Sequence, residues 1–168
     1  MNEKKDNELS ELLDLLKVIV LTMIGTFIVL QFVQVSRVNG SSMENTYFQN
    51  NIVLIDKVFY KRQQPKRNDI IIVDYDDGLD DTLIIKRVIA VGGDHLDIIN
   101  NEVYINGKKI KENYIKEKMD TEDLSVDIPK GKVFVMGDNR NHSLDSRKLG
   151  YFDFKDDVIG KVFFKIPF

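Results

Sequence analysis

The residues from Val18 to Val35, VIVLTMIGTFIVLQFVQV, carry no charge, and Lys17 and Arg37 bracket them. As a helix the run is about 27 Å long, close to the ~30 Å of a bilayer's hydrocarbon. Its apolar surface continues around the helix, more than a domain this small can cover. A cleavable signal peptide competes with a membrane span, but Gln34-Val35-Ser36-Arg37 offers no small-x-small cleavage site. The run is too apolar for an interfacial anchor. We read residues 18–35 as an uncleaved transmembrane anchor. The leader, residues 1–17, places Leu9, Leu12, Leu13 and Leu16 at helical spacing opposite Glu8, Glu11 and Asp14. Lys4, Lys5 and Lys17 precede the span and only Arg37 follows closely. The excess of basic residues predicts a cytosolic N-terminus at the cell membrane and an extracytoplasmic domain over residues 36–168.

That domain carries the chemistry, and composition bounds what it is. The chain has 168 residues, 43% apolar and 30% charged, with net charge −3. It can build a core, and it lacks the basic block of a nucleic-acid binder. With no cysteine and only His95 and His142, thiol catalysis, disulfides, zinc-thiolate sites and histidine-rich metal sites are excluded.

Past the anchor, β-branched runs alternate with turn residues. Strands are predicted at Ile52–Asp56, Ile70–Tyr75, Leu83–Val91, Leu96–Ile99, Glu102–Ile105, Lys132–Met136 and Val158–Ile166. Asn106-Gly107 marks a hairpin into Lys108–Ile110. Pro65, Gly92-Gly93 and Pro129-Lys130-Gly131 punctuate the rest. The expectation is a mostly β domain, of antiparallel sheets or a distorted barrel, behind one N-terminal transmembrane helix. Lys108–Asp127, the most polar stretch, reads as an exposed loop or small flap.

Three stretches stand out. In Val38–Thr46, the small turn Gly40-Ser41-Ser42 presents hydroxyls just beyond the span. Ser42 is a candidate nucleophile, although serines in turns most often bond only their own backbone. The second stretch, Leu83–Val91, sets Lys86 and Arg87 inside an apolar strand. Strand neighbours point to opposite faces, so one can face outward and the other a cleft. A lysine among isoleucines loses hydration, which lowers its pKa, and a neutral amine can deprotonate a serine. The alternative is an edge-strand lysine that blocks aggregation. The third, Gly137–Gly150, is dense in Asp/Arg pairs, and a long turn held by an Asp145–Arg147 pair also accounts for it.

The three stretches together resemble, in order and spacing, the type I signal peptidases, membrane-bound Ser-Lys proteases, in their short Gram-positive form. Gly40-x-Ser42-Met43 is similar to the family's nucleophile box. Lys86-Arg87-Val88 with Gly93-Asp94 is similar to its lysine box. Gly137-Asp138-Asn139-Arg140, Ser143, Asp145-Ser146-Arg147 and Gly150 are similar to its last box. The resemblance implies Ser42 as nucleophile, Lys86 as general base, Ser143 hydrogen-bonded to Lys86, and Asp145 and Arg147 as buttresses. It implies that Val38 and Ile85 line shallow apolar subsites for Ala-x-Ala-type signal peptides of exported preproteins, with membrane lipid around the anchor and no cofactor. The Ser42 N–H would serve the oxyanion. Gly40 stands where some relatives have a helping serine, which leaves a second donor unassigned. The family usually has proline at Asn45, Gly-Asp at Asn50-Asn51, glycine at Asn68 and proline at Gly92. A histidine triad through His142 is the rival within proteases, and His95 reads as a surface turn residue. A soluble self-cleaving repressor domain conflicts with the anchor. A peptidase dedicated to pilins or one cargo, and a catalytically silent tethered β module that binds signal peptides, are the other readings.

Overall fold

The computed structural model describes residues 2–76 and 81–167. Helix α1 runs Asn2–Phe32. Its segment Glu11–Phe32 is long and apolar enough to cross a membrane, and none of it is buried against the rest of the chain. A core helix would be covered, so that reading of the run fails.

The helix stops earlier than the apolar run. Val33–Val35, expected to complete the span, instead open strand β1, Val33–Arg37, which pairs with β2, Ile52–Asp56, from Val33↔Asp56 to Arg37↔Ile52. Val33 and Val35 suit a helix or a strand, and the free edge of β2 decides in favour of the strand. The Phe32 carbonyl accepts the Lys57 N–H at 3.2 Å, and the Phe32 ring stacks on Phe59.

The remaining strands are β3 (Ile70–Asp76), β4 (Asp81–Val91), β5 (His95–Ile99), β6 (Glu102–Ile105), β7 (Lys108–Lys109), β8 (Leu124–Asp127), β9 (Lys132–Met136), β10 (Phe152–Asp153) and β11 (Val158–Ile166). A single helical turn, α2, spans Ser146–Leu149. Seven strands form an antiparallel sheet in the order β1-β2-β11-β3-β4-β9-β10, and four form a second, β7-β6-β5-β8. Shifts of register at Val88/Ala90, Val158/Gly160 and Val162/Phe164 bend the large sheet. Gly160 permits the closest strand approach: a Cβ there would lie 2.3 Å from the Asp56 carbonyl oxygen.

Three apolar clusters hold this frame. One joins the small sheet to Ile89, Phe134 and Met136. A second lies under Tyr60, Val73, Val135 and Phe154. The third gathers Val38, Met43, Val53, Ile55, Ile72, Ile85 and Val162 directly beneath the serine turn.

The polar stretch 108–127, expected to be an exposed loop or a small flap, is tied into the small sheet. It contributes β7 and β8, its Met119 is 2% exposed, and Ile110, Tyr114, Leu124 and Val126 pack on the small-sheet cluster. Its anchors are spaced too widely to show as an apolar run.

The turn departures have a common physical basis. Asn45, Asn50 and Asn68 all have positive φ, at 88°, 69° and 72°. Asparagine tolerates this left-handed region better than other side chains, so it replaces glycine at 50 and 68. Proline could not adopt the backbone found at Asn45. At Gly92 a Cβ would meet the Pro129 carbonyl oxygen at 2.8 Å, which excludes proline as this hairpin is packed.

Candidate active site

The serine turn is fixed at both ends. Before it, Val38 exchanges backbone bonds with Asn50 and Asn51. The Gly40 N–H donates to Gln49 Oε1 at 2.6 Å, and Gln49 Nε2 holds Asn39 Oδ1 at 3.0 Å. Gly40 has φ 92°, which starts the turn. After it, Met43 is 1% exposed within the apolar cluster, and its carbonyl accepts the N–H groups of Thr46 and Tyr47. Ser42 sits between a backbone reversal and a buried side chain. Among the described residues its N–H has no acceptor and remains free to donate to a reacting carbonyl.

Strand β4 supplies the amine. Lys86 is 3% exposed, and its Nζ donates to Ser42 Oγ at 2.9 Å and to the Ile85 carbonyl at 3.0 Å. Burial lowers its pKa from 10.5 to about 8, with the Asp145 carboxylate opposing the shift. Strand alternation sends Arg87 the other way, but not into solvent as expected. Its Nε donates to Asp138 Oδ1 at 2.8 Å, its Nη2 to Asp138 Oδ2 at 2.6 Å and to Thr46 Oγ1 at 3.2 Å. Both members of the Lys-Arg pair are buried, each with its own partners.

The third stretch closes over the turn from the opposite side. The Asn139 N–H donates to the Ser42 carbonyl at 2.9 Å, and its Nδ2 donates to the Ser41 carbonyl at 3.1 Å. Gly137 lies against the same carbonyl: a Cβ there would be 2.5 Å from the Ser42 oxygen and 2.3 Å from Ser143 Oγ. Asp145 is fully buried and caps α2. Arg147 grips its carboxylate with Nε and Nη2, both at 2.8 Å, and the Gly137 N–H donates to it at 3.0 Å. Burial favours the neutral acid, but Arg147 and Gly137 outweigh it and hold the carboxyl below its usual range. Arg147 also donates to the Arg140 carbonyl at 2.6 Å, which ties the buttress into the loop. The Asp145 carboxylate acts on Lys86 through its charge, and Arg147 holds that carboxylate.

Ser143 departs from expectation. Its Oγ is buried against Gly137 and on the side of the Asp145 carboxyl, which it helps to hold below its usual range, and no bond to Lys86 is made. The lysine's protons are directed instead to Ser42 Oγ and the Ile85 carbonyl.

Val38 and Ile85 line a cavity of about 140 Å³ with Val53, Ile72 and Leu83, and Ser36, Arg37 and Asn39 complete its wall. The histidines lie elsewhere. His142 is exposed, 3.6 Å from Glu117, and His95 stands on the small sheet between Asp127 and Asp97. Neither contacts Ser42. Among the described residues no cluster of carboxylates and histidines suits a metal ion.

Sequence reasoning assigned no role to Asp138, Asn139, Thr46 or Gly137. Asp138 and Asn139 sit inside the third stretch, so their density there was a signal. The partners of their side chains lie at least 40 residues away in sequence, and nothing local indicates them.

The chain is similar to known proteins over most of its length. The profile described as "Signal peptidase, peptidase S26" matches residues 12–167. Signal peptidase I P of Bacillus subtilis subsp. natto is 34% identical over 172 aligned positions, covering 95% of this chain and 91% of its own. Signal peptidase IB of Staphylococcus aureus strain COL is 32% identical over 169 positions, covering 89% and 84%. The crystal structure of a signal peptidase I from Enterococcus faecalis V583 superposes with a TM-score of 0.50 at 28% identity, covering 59% of this chain and 97% of that one. A buried lysine on a serine turn, the antiparallel sheets that hold it and these similarities along nearly the whole chain lead to one conclusion: the chain belongs to the signal peptidase family, peptidase S26.

Proposed function

We propose that this chain is a membrane-anchored Ser-Lys endopeptidase that removes signal peptides from exported preproteins. The observation that carries the reading is the 2.9 Å contact between Ser42 Oγ and a buried lysine whose pKa lies near 8. A substantial fraction of that amine is neutral at mildly alkaline pH, so it can act as a base without a histidine.

Ser42 Oγ bonds to the scissile carbonyl carbon as its proton passes to Lys86 Nζ. The tetrahedral intermediate collapses, the C–N bond breaks, and the Lys86 ammonium gives the proton to the departing amine. Water then attacks the acyl-enzyme with Lys86 again as base, and the proton returns to Ser42 Oγ. The Ser42 N–H donates to the oxyanion. The fixed ammonium geometry comes from the Ile85 carbonyl, and the Asp145 carboxylate steadies the protonated lysine.

The substrate strand lies along residues 36–39 and the stretch of Leu83 and Ile85, which face each other across one cavity. The small apolar cavity between them favours alanine-sized residues at substrate positions −1 and −3 and disfavours a charge left unpaired. Residues 11–32 cross the membrane with the N-terminus in the cytosol, which sets the site just outside the bilayer, where a signal peptide's cleavage point emerges. A dedicated peptidase for pilins or one cargo uses the same chemistry.

Detergent-solubilised full-length chain is incubated with an Ala-x-Ala precursor beside Ser42→Ala and Lys86→Ala. Cleavage by the wild type alone supports the dyad. Full activity in either variant refutes it, and a silent module is indicated if the wild type neither cleaves nor is labelled by a serine-acylating probe.

A further inference from the structure

The segment 112–120 crosses from the small sheet to the serine turn and is fastened on both sides of it. Asn45, three residues past Ser42, donates Nδ2 to the carbonyls of Tyr114 and Ile115 at 3.1 and 3.4 Å. Lys116 pairs with Glu44 at 2.5 Å, while its N–H donates to the Asp138 carbonyl at 3.0 Å. Farther along, the Asp120 N–H donates to Asn141 Oδ1 and Asn141 Nδ2 returns a bond to the Lys118 carbonyl. At its start Glu112 takes a two-pronged bond from buried Arg140 at 2.9 and 2.6 Å.

The Arg87 guanidinium carbon lies over the Tyr114 ring, 4.0 Å from its centre. That guanidinium binds both Asp138 and Thr46, and Thr46 Oγ1 itself donates to Asp138. The ring thus covers a charged network that touches the turn after the nucleophile. Its hydroxyl donates to Glu112, which aligns it.

Asn45 explains why such fastening is needed here. A proline would lock φ and stiffen the turn by itself. Asparagine at φ 88° does not, and its side chain is spent on two strap carbonyls. We propose that residues 112–120 are a strap that sets the position of Ser42, with Asn45 and Tyr114 as positioning residues for the reaction. The strap touches residues 44 and 45 on one side and 138, 140 and 141 on the other, and reaches no reacting atom. Small errors in nucleophile placement slow a step that depends on a 2.9 Å alignment, while substrate binding at the cavity of Val38 and Ile85 continues.

The proposal rests on the Ser42–Lys86 reading for its kinetic test and on geometry for a second one. Full-length Asn45→Gly, which keeps positive φ but drops the two bonds, is compared with Tyr114→Leu and Tyr114→Phe in detergent. Turnover is expressed per site titrated with a serine-acylating probe, so that misfolded protein does not count. Asn45→Gly and Tyr114→Leu should lose about tenfold to a hundredfold in turnover per site with KM nearly unchanged. Tyr114→Phe, which keeps the ring over Arg87, should retain most of it. Hydrogen exchange at the Thr46 and Tyr47 amides, both bonded to Met43, should quicken in the first two variants only. Unchanged turnover per site, a loss confined to KM, or a phenylalanine variant as impaired as the leucine variant overturns the strap. If the wild type proves inert toward precursor and probe, the protease reading fails, and the exchange measurement alone decides: unaltered exchange at Thr46 and Tyr47 overturns the strap too.

Discussion

Gly137→Ala adds one methyl group, and the structure indicates where it must go. Its Cβ would meet Ser143 Oγ at 2.3 Å, the Ser42 carbonyl oxygen at 2.5 Å and Ser143 Cβ at 2.6 Å. Ordinary contacts begin near about 3.4 Å, so the neighbours must retreat by close to an ångström. Ser143 can change rotamer, which clears its Oγ but not its Cβ. The Ser42 carbonyl is backbone, held by the Asn139 N–H at 2.9 Å, and its retreat carries Ser42 Oγ away from Lys86. Overpacking of this kind costs about 1–3 kcal/mol of stability. A displacement approaching an ångström at the nucleophile costs about a hundredfold in rate. The assay is kcat and KM on an Ala-x-Ala precursor at pH 9, below the variant's melting temperature, with sites counted by acylating probe. The expected outcome is a large fall in kcat with KM held. A variant within about twofold of wild type in kcat would refute the claim that the Gly137–Ser42 approach fixes the nucleophile.

The lysine gives two pH predictions. In the proposed mechanism the neutral amine is the base, so kcat/KM should climb with pH and level off above about 8; a profile flat from pH 6 to 9 would rule out Lys86 as the titrating base. The folded state depresses this pKa from 10.5, so between about 8 and 10.5 the unfolded chain binds more protons, and stability rises with pH through that window. Below it the buried ammonium costs up to about 3 kcal/mol, at about 1.4 kcal/mol per tenfold in the proton equilibrium. Lys86→Met should therefore be inactive yet melt several degrees higher at pH 7, with the gap closing as pH rises; a lower melting temperature at pH 7 would contradict this. Arg87→Met strands Asp138, fully buried, without its partner and should cost about 3–5 kcal/mol, read from urea unfolding. Asn68→Gly should change stability little and Asn68→Ala should lose about 1–2 kcal/mol, because φ there is 72°.

The sequence made the β framework legible wherever the signal was local. Ile52–Asp56, Glu102–Ile105, Lys132–Met136 and Val158–Ile166 are strands with the expected ends, since each is a β-branched run closed by turn residues. β1 was hidden because Val33–Val35 continue an apolar run, and only the edge of β2 shows that the helix must stop. β8 alternates half-buried and exposed residues within a polar stretch, so its pattern is weak until β5 is placed beside it. In the site, residue type and surroundings made Ser42 and Lys86 candidates beside blander readings, and only the resemblance to the signal peptidases singled them out, together with Asp145 and Arg147. The Ser143 contact was not legible, because a serine rotamer beside a glycine is set by packing. The Arg87–Asp138–Thr46 network joins residues 51 and 41 positions apart, and no periodicity encodes such a meeting.

The adjacency of Lys86 and Arg87 follows from what β4 must do. The strand runs between the serine turn's apolar cluster and the small sheet, and its two faces need opposite chemistry. On the proposed reading one face presents an amine that sheds its proton, which calls for a flexible side chain in an apolar wall. The other must hold a permanent cation against Asp138 and under Tyr114, which calls for a planar guanidinium that stays charged. Alternation along a strand delivers both from consecutive positions, at the cost of depending on register. Pairing of Ile71 with Lys86 and Ile70 with Arg87 on one side, and of Arg87 with Met136 on the other, fixes that register. A slip of one residue would put arginine beside Ser42, where it could not serve as a base, and lysine beside Asp138, where its amine would stay charged. The irregularity between Val88 and Ala90 lies just past the pair, so the strand bends after the site and not within it.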